Sequence, residues 1–284
     1  MELLTHSLPE DCDIVLWSDT HYGTSACSIG TVKEIVHRIS QPRTYCIHGG
    51  DFIEGKLVDS PHFSHEVHSA KSTPVRQMAE FCDLVRPIKK EKWLGIHRGN
   101  HEMRHMKTCD LGKMAAENLG IPHAGFLAKH IIKSKKTGLL MFRAMTMHGS
   151  KIANSTSPDP MIRRKIMLGQ IKNSLSTMGF ADCVLQACAH GHKLLVAEPA
   201  HEPYFSDNGL ELVGKYTKAD HTAEWIDPAL RWYGMMGSQM RTLVMGAMTY
   251  GEASNFGPAS LGYLEVLVRA GRIVKINEIH LGHC

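Results

Sequence analysis

Apolar residues in this chain fall into short compact runs, separated by stretches with helical spacing. The run DIVLWS (13–18) is continuous enough for a strand buried on both faces, and it feeds the polar triplet DTH. Residues 28–40 place Ile29, Val32, Ile35, Val36 and Ile39 at helical intervals, which predicts a helix with one apolar stripe. TYCIHGGD (44–51) reads as a second strand, stopped by two glycines and an aspartate. Helical character returns over 75–86, and KWLGIHRGNHE (92–102) is a third strand running into a polar loop. A fourth strand, LLMFRAMTMHG (139–149), precedes DPMIRRKIMLGQIKNSL. There Asp159 suits a helix N-cap and Pro160 its first turn, with Ile162, Ile166, Ile171 and Leu175 forming the predicted apolar face. DCVLQACAHGH (182–192) is a fifth strand, and LGYLEVLVRAGRIVKINEIHL predicts a hairpin about its AGR turn.

Strands alternating with helices predict an α/β fold of layered sheets flanked by helices, with a site at the strand C-terminal ends. At 284 residues the chain can hold one large α/β domain or two small ones, and we read 1–284 as one. Residues 195–240 lack clear periodicity yet contain Tyr204, Phe205, Tyr216, Trp225, Trp232 and Tyr233. They read as a lid, an oligomer contact or an elaborated loop. No internal repeat or low-complexity tract is present.

Composition adds little: 43% hydrophobic and 21% charged residues describe an ordinary globular protein. No segment resembles a signal peptide or a membrane-spanning helix. The eight cysteines form no CxxC pair, and most sit in apolar runs such as TYCI, so reduced thiols and a cytoplasmic setting are expected. Net charge is only +4, but it is uneven. Residues 129–172 carry ten Lys or Arg against one acid, whereas 195–228 carry seven acids against two lysines. Such asymmetry marks either an anionic partner or, more commonly, a solvated helix face.

The chemistry lies where the strands stop. Five predicted strand ends carry Asp19 and His21, then Asp51, then Asn100 and His101, then His148, and last His190 and His192. Mixed carboxylate and imidazole ligands suit Mn²⁺, Fe or Zn²⁺, whereas an all-oxygen set would suit Mg²⁺ or Ca²⁺. One tetrahedral ion cannot use so many ligands; two divalent ions sharing a carboxylate can. Elsewhere, His62, His65 and His68 read as a surface segment or pocket rim. His48 and His97 lie inside strand-like runs and read as packed, and His201 and His221 have no motif context. GDFIEGKL mimics a P-loop, but Leu57 replaces the required Ser/Thr and Asp51 would sit among the phosphates, so that reading fails. There is no G-x-S-x-G elbow.

The ordered series SDTH, GGD, GNHE, MHG and AHGH resembles the calcineurin-like metallophosphoesterases and spans nearly the whole chain. That resemblance implies a metallophosphoesterase-like β-sandwich flanked by helices, with two divalent metals, Mn foremost. By position, Asp19, His21 and His192 would hold one metal, Asn100, His148 and His190 the other, and Asp51 would bridge them. His101 would be catalytic, protonating the leaving oxygen or stabilising phosphoryl charge. Arg104 would hold the phosphate by a bidentate contact. Two departures stand out. Ala189 replaces the usual glycine before His190, a change small enough to be tolerated. Gly55 stands where protein Ser/Thr phosphatases carry a second arginine, which argues against a phosphoprotein substrate.

The expected function is therefore hydrolysis of a phosphoester by metal-activated water, with diesters favoured over dianionic monoesters. The basic 129–172 stretch and the aromatic 195–240 stretch make a nuclease acting on DNA or RNA the preferred specific expectation. The alternatives are a small-molecule or cyclic-nucleotide phosphodiesterase or phosphatase, and a non-catalytic scaffold of the same fold. No membrane partner is expected, and sequence leaves the oligomeric state open.

Overall fold

The computed structural model describes residues 1–56, 73–150, 153–247, 249, 251 and 257–282. His62, His65 and His68 fall outside the described residues. The chain opens with strand β1 (Glu2–Leu8), β2 (Cys12–Trp17), helix α1 (Ile29–Ser40), β3 (Thr44–His48), α2 (Pro74–Val85) and β4 (Trp93–Ile96). Short α3 (Asn100–Met103), α4 (Leu111–Leu119), β5 (Leu127–Ser134), β6 (Leu140–Met147) and α5 (Pro160–Ser176) follow. Next come β7 (Leu185–Cys188), β8 (Leu194–Ala197), β9 (Pro203–Asp207), β10 (Leu212–Tyr216), β11 (Trp232–Met236), β12 (Gly262–Arg269) and β13 (Arg272–His280).

Two large sheets result, in the orders β1-β5-β6-β7-β11-β8 and β13-β12-β2-β3-β4. Strand β2 shows why they stack. Its alternate residues Ile14 and Leu16 join Phe142, Leu185, Leu194 and Val266 in a core between the sheets. Val15 and Trp17 point the other way, into a second core with Val32, Ile35 and Ile39 of α1, Phe81 of α2 and Leu111 of α4. Across the first sheet, Met145, Cys188 and Tyr233 pack on Ile171 and Leu175 of α5. Layers of helix, sheet, sheet and helix are the predicted α/β sandwich.

Helix starts follow their local chemistry. Asp159 accepts hydrogen bonds from the backbone N–H groups of Met161 and Ile162, with Pro160 in the first turn, as its sequence predicts. The apolar face predicted for α5 needs correction. Ile171 and Leu175 are buried, but Ile162 and Ile166 point into solvent, on the opposite side of the helix. Five successive positions of one turn and a half, 162–166, are exposed, so only the later part of α5 lies on the sheet.

Segment 195–240, read as irregular, holds most of β8 together with β9, β10 and β11. Strand β11 is buried throughout and pairs with both β7 and β8. Its five residues are too short to show a period. Hairpin β9–β10 stands apart as its own two-stranded sheet. The β12–β13 hairpin forms as predicted, with Ala270 and Gly271 both at positive φ in its turn. All seven cysteines among the described residues are free, and only Cys109 is not buried. No helix among the described residues is long and apolar enough to cross a membrane.

The basic stretch is not one surface. Strand β5 runs antiparallel to β6, pairing Leu127 with Met147, so Lys133, Lys135 and Lys136 lie at the end of the sheet remote from His148. Lys129 and Arg143 are both paired with Asp182, and Arg164 with Glu278.

His48 and His97 are fully buried, as expected of packed residues. His97 Nδ1 donates to the Gly125 carbonyl, and its Nε2 lies 2.7 Å from Thr146 Oγ1. The same hydroxyl meets His130 Nε2, and His130 Nδ1 meets His6 Nε2, completing a buried hydrogen-bonded chain. Burial lowers the pKa of His6 to about 4, of His48 and His97 to about 3, and of His130 well below its ordinary value. Unfolding lets each take a proton at its ordinary value near 6.5. Their contribution to stability is therefore complete above pH 6.5 and lost as pH falls towards the folded values, by up to about 1.4 kcal/mol per pH unit per histidine. His148, whose pKa is raised to about 9, acts in the opposite sense but above pH 6.5. The thermal midpoint should fall steeply between neutral pH and pH 5 in calorimetry; a flat profile there would contradict buried neutral histidines.

Candidate metal centre

Parallel strands bring the five loops together. β2, β3 and β4 run side by side in one sheet, and β6 and β7 in the other, so their C-terminal ends open on one edge of the sandwich. Asp19 follows β2, Asp51 follows β3, and Asn100 and His101 follow β4. His148 follows β6, and His190 and His192 occupy the turn from β7 to β8.

The loops hold unusual backbone. Seven non-glycine residues among those described have positive φ, and five of them are Asp19, His21, Asp51, His190 and His192. Left-handed backbone at a non-glycine residue costs roughly 1–3 kcal/mol and persists only where the surroundings enforce it. Aspartate and histidine tolerate it better than most residues. Glycines make the close approaches possible: a Cβ on Gly99 would lie 2.0 Å from Asp51 Oδ1. Ala189 is accommodated as expected, buried in the inter-sheet core without left-handed backbone.

All seven residues proposed from sequence as ligands are brought together. His192 Nε2 lies 3.2 Å from Asp19 Oδ1, and His21 Nε2 lies 3.9 Å from the same oxygen. Asp51 Oδ2 lies 3.2 Å from His148 Nε2 and 3.9 Å from His21 Nε2. Asn100 Oδ1 is 2.9 Å from His148 Nε2. Three donor groups each fall within 4.8 Å: Asp19 with His21 and His192, Asp51 with His148 and His190, and His21 with Asp51 and His101. Asp51 belongs to two of them. His101 thus stands among the donors as well as beside them, which the sequence did not suggest.

Two atoms of the cluster, Asp19 Oδ1 and His190 Nδ1, are buried without a hydrogen-bond partner. Leaving a buried charged acceptor unsatisfied is expensive, and cations between these side chains would satisfy both atoms. The donor set fits metal. Several imidazoles are already turned for it. His21 Nδ1 is held 3.0 Å from Glu54 Oε2, and His148 Nδ1 donates to the Gly49 carbonyl at 2.9 Å, leaving each Nε2 directed at the carboxylates.

Electrostatics point the same way. Burial disfavours ionised Asp19, yet the neighbouring charges of His192 and His148 hold it at about 2. Burial likewise opposes a charged His148, but Asp51 outweighs it and raises the imidazole to about 9. A shared proton there occupies the space that a cation would take. His101 is lowered by burial to about 4, against the pull of Asp51 and Glu54. It is neutral at pH 7, with Nδ1 committed to the Glu54 carbonyl and Nε2 facing the Arg104 guanidinium at 3.2 Å.

Three residues escaped the sequence reading. Glu54 orients His21 and approaches Lys56 Nζ at 3.5 Å. Lys56 is a buried cation one position beyond the missing arginine, with its charge matched by Glu54. Glu102 is fully buried and accepts from the N–H groups of Asp51, Gly99 and Ile53, tying the β3 and β4 loops together. Its place in GNHE was the available signal.

No family model matches the chain, and no curated protein matches it. Solved structures similar to it include a metallophosphoesterase from Sphaerobacter thermophilus, at 13% identity and a TM-score of 0.41, covering 95% of this chain and 89% of that one. The NAD nucleotidase of Haemophilus influenzae is 13% identical with a TM-score of 0.39, covering 95% of this chain and 50% of that one. GAP50, the anchor in the inner membrane complex of Plasmodium, is 11% identical with a TM-score of 0.38, covering 96% and 90%. The chemistry rests on the site's own residues.

Proposed function

We propose that this protein is a dinuclear metal-dependent phosphoesterase that hydrolyses phosphodiesters. The observation that supports it most is Asp51, whose Oδ2 faces His148 and His21 from two different donor groups and so sits where a bridging carboxylate belongs. Asp19, His21 and His192 would hold one ion, and Asn100, His148 and His190 the other. A carboxylate, amide and imidazole set suits Mn²⁺, with Fe and Zn²⁺ as the other candidates. Two such ions would supply a nucleophile from water at neutral pH and neutralise the phosphoryl oxygens.

The chain's own groups do the rest. Arg104, exposed at the mouth beside His101, presents a guanidinium to the non-bridging oxygens. His101 keeps its Nδ1–H on the Glu54 carbonyl, so Nε2 is the atom that meets substrate. Neutral in the free protein, it gains a proton only when phosphate brings negative charge, and can then deliver it to the leaving oxygen. Lys56 is neutralised by Glu54, which leaves Arg104 as the principal cation for a phosphate and favours a singly charged diester. Among diesters, a small substrate has more support than nucleic acid, because among the described residues Lys133, Lys135 and Lys136 lie remote from the site and Lys129, Arg143 and Arg164 are paired with acids.

Elemental analysis together with a panel of chromogenic diesters, monoesters, cyclic nucleotides, DNA and RNA tests this reading. Fewer than two ions under Mn²⁺ saturation, or no hydrolysis of any ester, would sink it. His101→Ala should retain its metal and lose about 10²–10⁴ in turnover on poor leaving groups, with a smaller loss on nitrophenyl esters. Loss of one ion instead would make His101 a ligand, as its distance from Asp51 also permits.

A further inference from the structure

Helix α5 is apolar on two opposite sides. Leu168, Ile171 and Leu175 lie on the sheet, with Arg164 anchored to Glu278 on that flank. Ile162 and Ile166, with Lys165 beside them, form a second strip that is bare, Ile162 being 51% and Ile166 41% exposed. Gly169 continues the strip, with open space where a Cβ would stand. A helix apolar on both sides is normally covered on both sides.

A second bare surface lies on the β9–β10 hairpin, which pairs with no other strand among the described residues. Directly opposed residues share a face, so Pro203, Phe205, Leu212 and Tyr216 lie together. Phe205 is 84% and Leu212 78% exposed, and Leu210 at the tip is almost fully so. An isolated two-stranded hairpin is marginal in water and gains most from something packed on its apolar face.

The two surfaces differ in charge. The hairpin and its flanks carry Glu198, Glu202, Asp207, Glu211 and Asp220 against Lys215 and Lys218, whereas α5 carries Arg163, Arg164, Lys165 and Lys172 and no acid. We infer that these surfaces are the two halves of one contact between copies of this chain: the hairpin of each protomer packs on the bare strip of α5 of its partner. Both halves exist on every copy, so the contact is made twice about a two-fold axis. Opposite charges steer the pairing and the apolar strip holds it. Nucleic acid is the less suitable occupant of α5, because Ile162 and Ile166 offer nothing to phosphates.

Sedimentation velocity from micromolar to hundred-micromolar protein should show a dimer. Ile162→Asp with Ile166→Asp breaks the helix half, and Phe205→Asp with Leu212→Asp breaks the hairpin half. All four side chains are exposed, so folding, checked by thermal melting, should be kept. Each double variant alone should be a monomer, with association weakened at least about tenfold as for loss of central apolar contacts. Mixing the two should regenerate a dimer, since one intact hairpin then meets one intact helix. A monomeric wild type, a dimer unaffected by both variants, or a mixture that stays monomeric overturns the proposal. So does weakened binding of a short DNA duplex by Arg163→Ala with Lys165→Ala when the mass of the wild type is that of a monomer.

Discussion

Asp51→Asn should abolish hydrolysis while leaving a folded protein, and elemental analysis should find the bound metal reduced from two ions to one or none. Asp51 is buried, with Oδ1 accepting from the His101 N–H at 2.9 Å. Its Oδ2 is then the oxygen that faces His148, His21 and His101. An amide that keeps the bond to His101 N–H must turn its NH₂ towards those imidazoles and the cations, where it can neither bridge nor neutralise. Loss of both ions removes the activated water and the phosphoryl charge neutralisation together, so turnover should fall by several orders of magnitude. Thermal melting in chelator separates lost metal from lost fold. Full metal content with reduced turnover would show that Asp51 is no bridge, and wild-type turnover would remove it from the site altogether.

Glu102→Ala should be the most damaging change outside the donor set. The Glu102 carboxylate closes three backbone N–H bonds, at 3.0 Å to Asp51, 2.6 Å to Gly99 and 3.1 Å to Ile53. Truncation leaves all three donors buried without partners, at about 1–3 kcal/mol each before relaxation. A net destabilisation of about 3–5 kcal/mol is expected, as for other broken buried networks. Metal affinity should fall with it, because Asp51 and Asn100 sit on the two loops that Glu102 joins. Burial and the neighbouring Asp51 charge raise this carboxyl to about 7, and cations at Asp51 would relieve that repulsion. Added Mn²⁺ should therefore stabilise the wild type far more than Glu102→Ala. Glu102→Gln, which keeps one accepting oxygen, should fall between them. A melting point and metal content unchanged in Glu102→Ala would show that the loops hold without it.

The donor residues were legible because each lies within five residues of the end of its strand, and strands with their terminating loops are local features of sequence. The types Asp, His and Asn in five such places already pointed to metal ligands. What holds the donors is not local. Glu54 is 33 positions from His21, and Glu102 is 51 from Asp51, so their partnerships appear only when the loops meet. The positive φ at Asp19, His21, Asp51, His190 and His192 is equally invisible, since no glycine marks those positions.

By itself, the sequence determined the layered α/β class, the order of the strands that carry the site, the N-cap of α5 and which side chains are candidate donors. These follow from periodicity, capping and ligand chemistry, which neighbouring residues decide among themselves. Tertiary structure decided that the basic stretch is split between two ends of a sheet, and that Ile162 and Ile166 face away from the core. It also decided that β11 is a central strand and that β9–β10 pairs with no other described strand. A periodic pattern shows which residues share a side of an element. Only packing against the rest of the chain determines which side is covered.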